Sequence, residues 1–189
     1  MQHVDEQRLE QDIQYRYEYL SEFIGFGPED AAAIQSSAPY VGPLIPELVE
    51  ATYRKLLGYT ATARHFLQPQ HGCNGPTPVN LDELTTEHPQ IQFRKEHLVR
   101  YLMQILGRSY DEKMVQYLDM VGRIHTAAAG NPEIHVPLVQ MNALMGLLAD
   151  LLAETLLSVG MDPATTARTL RAYQKLFWIQ NDFIARHYC

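Results

Sequence analysis

The sequence predicts an all-α fold, and three observations carry that prediction. Apolar residues recur at spacings of three and four, as at Met114, Tyr117, Leu118, Val121 and Ile124, which is the period of a helix face. No segment alternates apolar and polar residues convincingly enough to form a strand. Helix punctuation bounds the apolar runs: Asp162-Pro163 precedes the last one, and Gly107 and Gly160 follow two others.

The first predicted helix covers Asp5 to Leu20, with Ile13, Tyr17 and Leu20 on one side and Tyr15 to Tyr19 as a docking face. Gly25, Gly27 and Pro28 break it, and a short helix follows with Pro28 in its first turn. Pro39, Gly42, Pro43 and Pro46 mark a turn into the next helix, where Ile45, Leu48, Val49, Thr52, Tyr53 and Leu56 share a face. Tyr53 is therefore an inward phenol, whose hydroxyl must find a partner or bind something. Thr60 is expected to cap a short helix through Phe66. Gln68 to Pro89 holds several prolines and glycines and no clear period beyond a turn near Leu81 to Leu84. Loops of this length are often functional lids. His71, Cys73 and His88 match no closed zinc spacing and read as solvated.

A strong helix is predicted from Pro89 to Leu106, with Ile91, Arg94, Leu98, Tyr101, Leu102 and Ile105 as its stripe. Arg94 inside that stripe has two readings. Its stem covers apolar surface while its head reaches the rim, or it pairs with a buried or bound anion. Asp111 caps the helix that leads to His125. Two long helices finish the chain, from about Ile134 to Ser158 and from Asp162 to about His187. Met141, Leu144, Met145, Leu148, Leu152 and Thr155 form an inward stripe, with the methionines as adaptable core. Leu147, Leu151, Ala153, Leu156 and Leu157, and on the last helix Leu176, Phe177, Trp178 and Phe183, extend the apolar surface beyond one stripe. That excess predicts a homodimer seam on these two helices. With no repeat and no second core, residues 1–189 read as one domain.

The net charge of -7 argues against nucleic acid as a partner, because phosphate binding needs a basic face. Asp150 and Glu154 interrupt the most apolar region, Leu144 to Val159, which reads as too polar to span a bilayer. The N-terminus has no basic start followed by an apolar run, and Cys73 and Cys189 read as incidental thiols. A cytoplasmic protein is expected.

His125 lies at i+4 from Val121, on the stripe of its helix, followed by Thr126-Ala127-Ala128-Ala129-Gly130-Asn131-Pro132. Small residues and helix-stopping signals beside an inward imidazole leave room for a flat cofactor. Spacing alone favours a hydrogen-bonded core histidine, the commoner outcome for a lone one.

Thr52-Tyr53-Arg54-Lys55-Leu56, then Arg108-Ser109-Tyr110-Asp111, then Val121-Gly122-Arg123-Ile124-His125 resemble, in that order and separation, the protoglobin and globin-coupled sensor family. The resemblance runs from about Tyr15 to Tyr188. Its most specific element is Gly122-x-x-His125 behind Arg108 to Asp111. It implies a globin fold with an extra N-terminal helix, and haem b between a distal and a proximal helix. It makes His125 the proximal ligand of the haem iron, Tyr53 the distal tyrosine and Leu98 an apolar residue of the distal side, with Arg94 one turn earlier near the entrance. Met141 and Met145 then face the haem. The chain departs from the archaeal protoglobins in having Thr52 where they carry tryptophan. It has His135 where many sensor globins have a tyrosine, and its loop after Gln68 is longer.

What the resemblance implies is a haem b protein that reversibly binds O2, CO or NO for sensing, storage or scavenging, more a gas binder than an enzyme. A haem-free globin-fold interaction module is the alternative, and a peroxide- or NO-processing haem enzyme ranks last. His125 would give one ring nitrogen to iron and the other to a carbonyl one turn back, at Val121 or Gly122, with His135 as a further possible partner. Arg94, Lys95 and the loop from Gln68 are the candidates for the haem carboxylates.

Overall fold

The computed structural model describes residues 1–69, 72–129 and 134–188. His71, the Gly130-Asn131-Pro132 stop and Cys189 lie outside the described residues. Within those residues all regular structure is helical, and the chain has the all-α architecture of a globin-like fold. The helices are α1 (Glu6–Gln11), α2 (Ile13–Ile24), α3 (Pro28–Ser36), α4 (Ala38–Val41), α5 (Ile45–Leu57), α6 (Thr60–Ala63), α7 (Pro89–Gly107), α8 (Glu112–Arg123), α9 (Leu138–Ser158) and α10 (Pro163–Ala185).

Side-chain chemistry at the helix ends explains where the boundaries differ from expectation. The single N-terminal helix is split at Asp12, whose extended backbone ends α1 while its carboxylate accepts from the Gln14 and Tyr15 amides of α2. α2 then runs on to Ile24 and stops at Gly25, which takes the left-handed conformation (φ 74°) that other residues resist. Pro39, Pro43 and Pro46 do not make an open turn. Each sits in the first turn of a helical piece, where a missing N–H costs no bond. Thr60 does not cap α6; Tyr59 does, and the Thr62 hydroxyl donates to the Leu56 and Tyr59 carbonyls. α9 begins at Leu138 rather than Ile134, since proline at 137 disfavours helix in the residue before it. α10 gives way at Arg186 to a 3-10 turn, Arg186–Tyr188.

α10 is the helix about which the others assemble. It packs on α3, α8 and α9, and Ala172, Tyr173, Leu176, Phe177, Ile179, Gln180, Phe183 and Ile184 are all buried. Gln180 is satisfied inside the core, donating to the Leu118 carbonyl (3.0 Å) and accepting from the Tyr101 hydroxyl (3.3 Å). α5 packs on α7 and α9. Arg16 of α2 closes the bundle through a two-pronged pair with Asp182 (2.6 and 2.9 Å).

Much of the apolar surface assigned to a dimer seam belongs to this core. Leu156, Leu176, Phe177 and Phe183 are buried, whereas Leu157 (69 % exposed) and Trp178 (61 %) face outward. Ile124, expected on the buried stripe, is exposed, because α8 has ended by that residue. By length and composition alone α9 is apolar enough to cross a membrane, contrary to the expectation that its two acids exclude it. In the fold, Met141, Met145, Leu148, Leu152 and Leu156 are buried, and Asp150 and Glu154 lie on the exposed side.

Candidate haem pocket

Tyr53, Arg94, Leu98, His125, Met141 and Met145 all line one cavity of about 610 Å3, with walls from α5, α7, α8, α9 and α10. That volume is in the range of sites for small molecules and cofactors. Phe66, Val121, Leu144, Leu148 and Ile184 complete an apolar lining.

His125 arrives there through local chain chemistry. The Asp111 carboxylate starts α8 by accepting from the Met114 amide (3.1 Å), and Met114, Val115 and Leu118 anchor the helix in the core. His125 falls two residues beyond α8, held to its last turn by its amide, which donates to the Gly122 carbonyl (3.3 Å). Its Nδ1–H donates to the Val121 carbonyl at 2.8 Å, so the lone pair is on Nε2. Burial pushes the imidazole down to about 4, with the Arg94 cation adding to the fall and the Val121 bond opposing it. The ring is neutral at pH 7.

Gly122 earns its place by close approach. A Cβ there would stand 2.5 Å from the Phe183 carbonyl oxygen and 2.9 Å from the Ile184 Cα, so only glycine lets α8 lie this near α10. His135 is exposed, with its ring 5.9 Å from that of Tyr188; the acceptor for His125 is Val121.

Tyr53 enters from α5, 5 % exposed and packed against Phe66 with ring centroids 5.8 Å apart. Burial raises its phenol pKa, and Arg94, within hydrogen-bonding reach of the hydroxyl, partly offsets that. The phenol is therefore a neutral donor at pH 7. Arg94 lines the same cavity, and its cation acts on both Tyr53 and His125. Thr52 is fully buried, with its hydroxyl donating to the Leu48 carbonyl at 2.8 Å.

Two sequence-based candidates are placed elsewhere. Lys95 is not among the cavity's lining residues. It is buried, and its ammonium donates to Glu50 (2.5 Å) and to the Thr86 carbonyl (2.8 Å). Of the described loop residues only Gln68 lines the cavity. The loop is instead tied beside it, through Lys95 and through Gln90, whose side chain donates to the Phe66 and Gln68 carbonyls. His88 serves as the N-cap of α7, its Nδ1 accepting from the Gln90 amide, and no metal-binding cluster occurs among the described residues.

The sequence reading missed His65 and Gln140 on the cavity wall, and Arg100, Gln104 and Arg108 along one edge. Arg100 and Gln104 lie one turn apart on α7 and Arg108 is the residue that ends it, a spacing of four legible in the sequence. No curated protein matches the chain. The family model described as Protoglobin matches residues 13–189, and the chain belongs to the protoglobin family, a membership that implies a globin-type protein binding haem and a gas.

Proposed function

We propose that this protein is a haem b-binding globin that reversibly binds O2, CO or NO, in sensing, storage or scavenging, with His125 as the iron ligand. The observation that carries the reading is the His125 hydrogen bond to the Val121 carbonyl, which leaves a neutral Nε2 on the wall of an apolar cavity. That donor chemistry fits haem: iron takes an imidazole lone pair, and the partner of the other nitrogen fixes tautomer and ring orientation. The apolar part of the lining, from Leu98, Met141, Met145 and Phe66, fits a porphyrin face.

Haem held by His125 would supply an iron able to take up a diatomic gas. Tyr53 offers a buried neutral hydroxyl in the same cavity, suited to donate to a ligand that acquires partial negative charge, as O2 does and CO does far less. Burial dominates the environment of that hydroxyl, and the Arg94 cation partly offsets it. The family membership favours this reading over a haem-free interaction module.

His125→Ala is expected to abolish stoichiometric haem uptake, read as the Soret band of the reconstituted protein, while far-ultraviolet circular dichroism retains the helical signal. Haem retained with an unchanged spectrum overturns the assignment. A protein that takes up no haem in its wild-type form points to the interaction module.

The reading includes a cytoplasmic setting and a homodimer through α9 and α10. Leu157 and Trp178, exposed on those two helices, support the dimer. Sedimentation is expected to give a dimer at micromolar concentration, and a monomer there removes this part.

A further inference from the structure

We infer that the C-terminal turn Arg186–Tyr188 is a positioning device for His125, an inference that rests on the reading of His125 as the iron ligand. The turn grips the histidine's surroundings from two sides. On the upstream side, Asp119 of α8 takes a guanidinium N–H of Arg186 (2.7 Å) and the Nε2–H of His187 (2.9 Å) on the same carboxylate oxygen. His187 Nε2 also lies 3.2 Å from the Asp119 carbonyl. All three side chains are shielded, between 13 % and 21 % exposed, so these charge-assisted bonds are poorly screened by solvent.

On the downstream side, the Tyr188 hydroxyl donates to the Val136 carbonyl at 2.6 Å. The amide of that same Val136 donates to the carbonyl of His125 at 3.0 Å. One three-residue turn thus holds α8 six residues before the histidine and also holds the residue bonded to the histidine's own backbone. Between these two points lies Gly122, with the His187 ring 3.1 Å from where its Cβ would be. The Val121 carbonyl that orients the imidazole is next to that glycine. Displacing the turn therefore moves the backbone on both sides of the ring and changes the angle at which Nε2 is presented. Arg186, His187 and Tyr188 act through other residues and touch no ligand themselves.

The test uses Tyr188→Phe, which removes one hydroxyl and leaves the aromatic packing. In the haem-free protein, amide exchange at Val136 should quicken by about tenfold, the size of one lost hydrogen bond. In the reconstituted ferrous protein, the iron–histidine stretching band in the resonance Raman spectrum should shift from its wild-type position. Tyr173→Phe is the control for a merely structural effect, since it removes a buried tyrosine hydroxyl bonded to Ser37 (3.0 Å) in a different part of the core. It should lower stability and leave the band in place. If Tyr188→Phe leaves both exchange and band at wild-type values, or if Tyr173→Phe shifts the band as much, the positioning role is overturned while the haem reading stands. If His125→Ala takes up haem with an unchanged spectrum, the haem reading itself has failed.

Discussion

The two sides of the cavity are built by different means. On the His125 side, the contacts are made to backbone: Gly122 lies against the Phe183 carbonyl, the His125 ring and amide donate to the Val121 and Gly122 carbonyls, and the His125 carbonyl accepts from the Val136 amide. On the Tyr53 side, side chains meet side chains: the phenol rests on the Phe66 ring and within reach of the long, flexible Arg94. A backbone contact has one geometry, whereas a phenyl ring and a guanidinium have several rotamers. The difference teaches where adaptability resides. The first wall fixes a group in one orientation, and the second can adjust to what enters.

Substitutions that attack each wall sharpen that contrast, and the largest effect is expected at Gly122. Gly122→Ala places a carbon 2.5 Å from a carbonyl that no rotamer change can move. It should cost about 3 kcal/mol in chemical denaturation, the upper end for overpacking, and weaken haem uptake alongside. A cost near zero would mean that α8 slides freely on α10.

Next comes Tyr53→Phe. If the hydroxyl donates to the gas, O2 dissociation should accelerate by about ten- to a hundredfold, the worth of a hydrogen bond to a charged acceptor, with CO dissociation changing much less. Stopped-flow measurements on both proteins read this out. Equal O2 rates would reduce the second wall to packing and leave ligand choice to Leu98, Arg94 and the cavity's shape.

The smallest effect belongs to Thr52→Ala. The Thr52 hydroxyl bonds back to its own helix at Leu48 and is not among the cavity's lining residues. Its loss should cost no more than about 1 kcal/mol and leave gas kinetics unchanged. A change in O2 release would show that Thr52, rather than Phe66 and Arg94, sets the position of Tyr53.

What the sequence made legible were features carried by neighbours along the chain. Asp111 and Asp162 as caps, the stripe of α7 and the inward faces holding Tyr53 and His125 follow from residues within two turns of each other. Features made by residues far apart were hidden. Lys95 is buried because Glu50, 45 positions away, and the Thr86 carbonyl receive its charge. Gly122 is tight because of α10, some sixty residues later. Leu156 and Phe183 resemble a seam until α10 is seen to be surrounded by its neighbours. The roles of Tyr53, Leu98 and Arg94 came from the family resemblance; periodicity alone placed them inward without saying what they face.

The pairing of Gly122 with Phe183, and of Arg16 with Asp182 across 166 positions, has a consequence for biosynthesis. Contacts of such span must meet the entropy of closing a long loop before they return any stability, so they form late. A ribosome-bound chain that has made α5, α7 and α8 already carries Tyr53 and His125, but not the surface on which α8 comes to rest. On the proposed reading, haem is expected to load only once α10 has docked against α8.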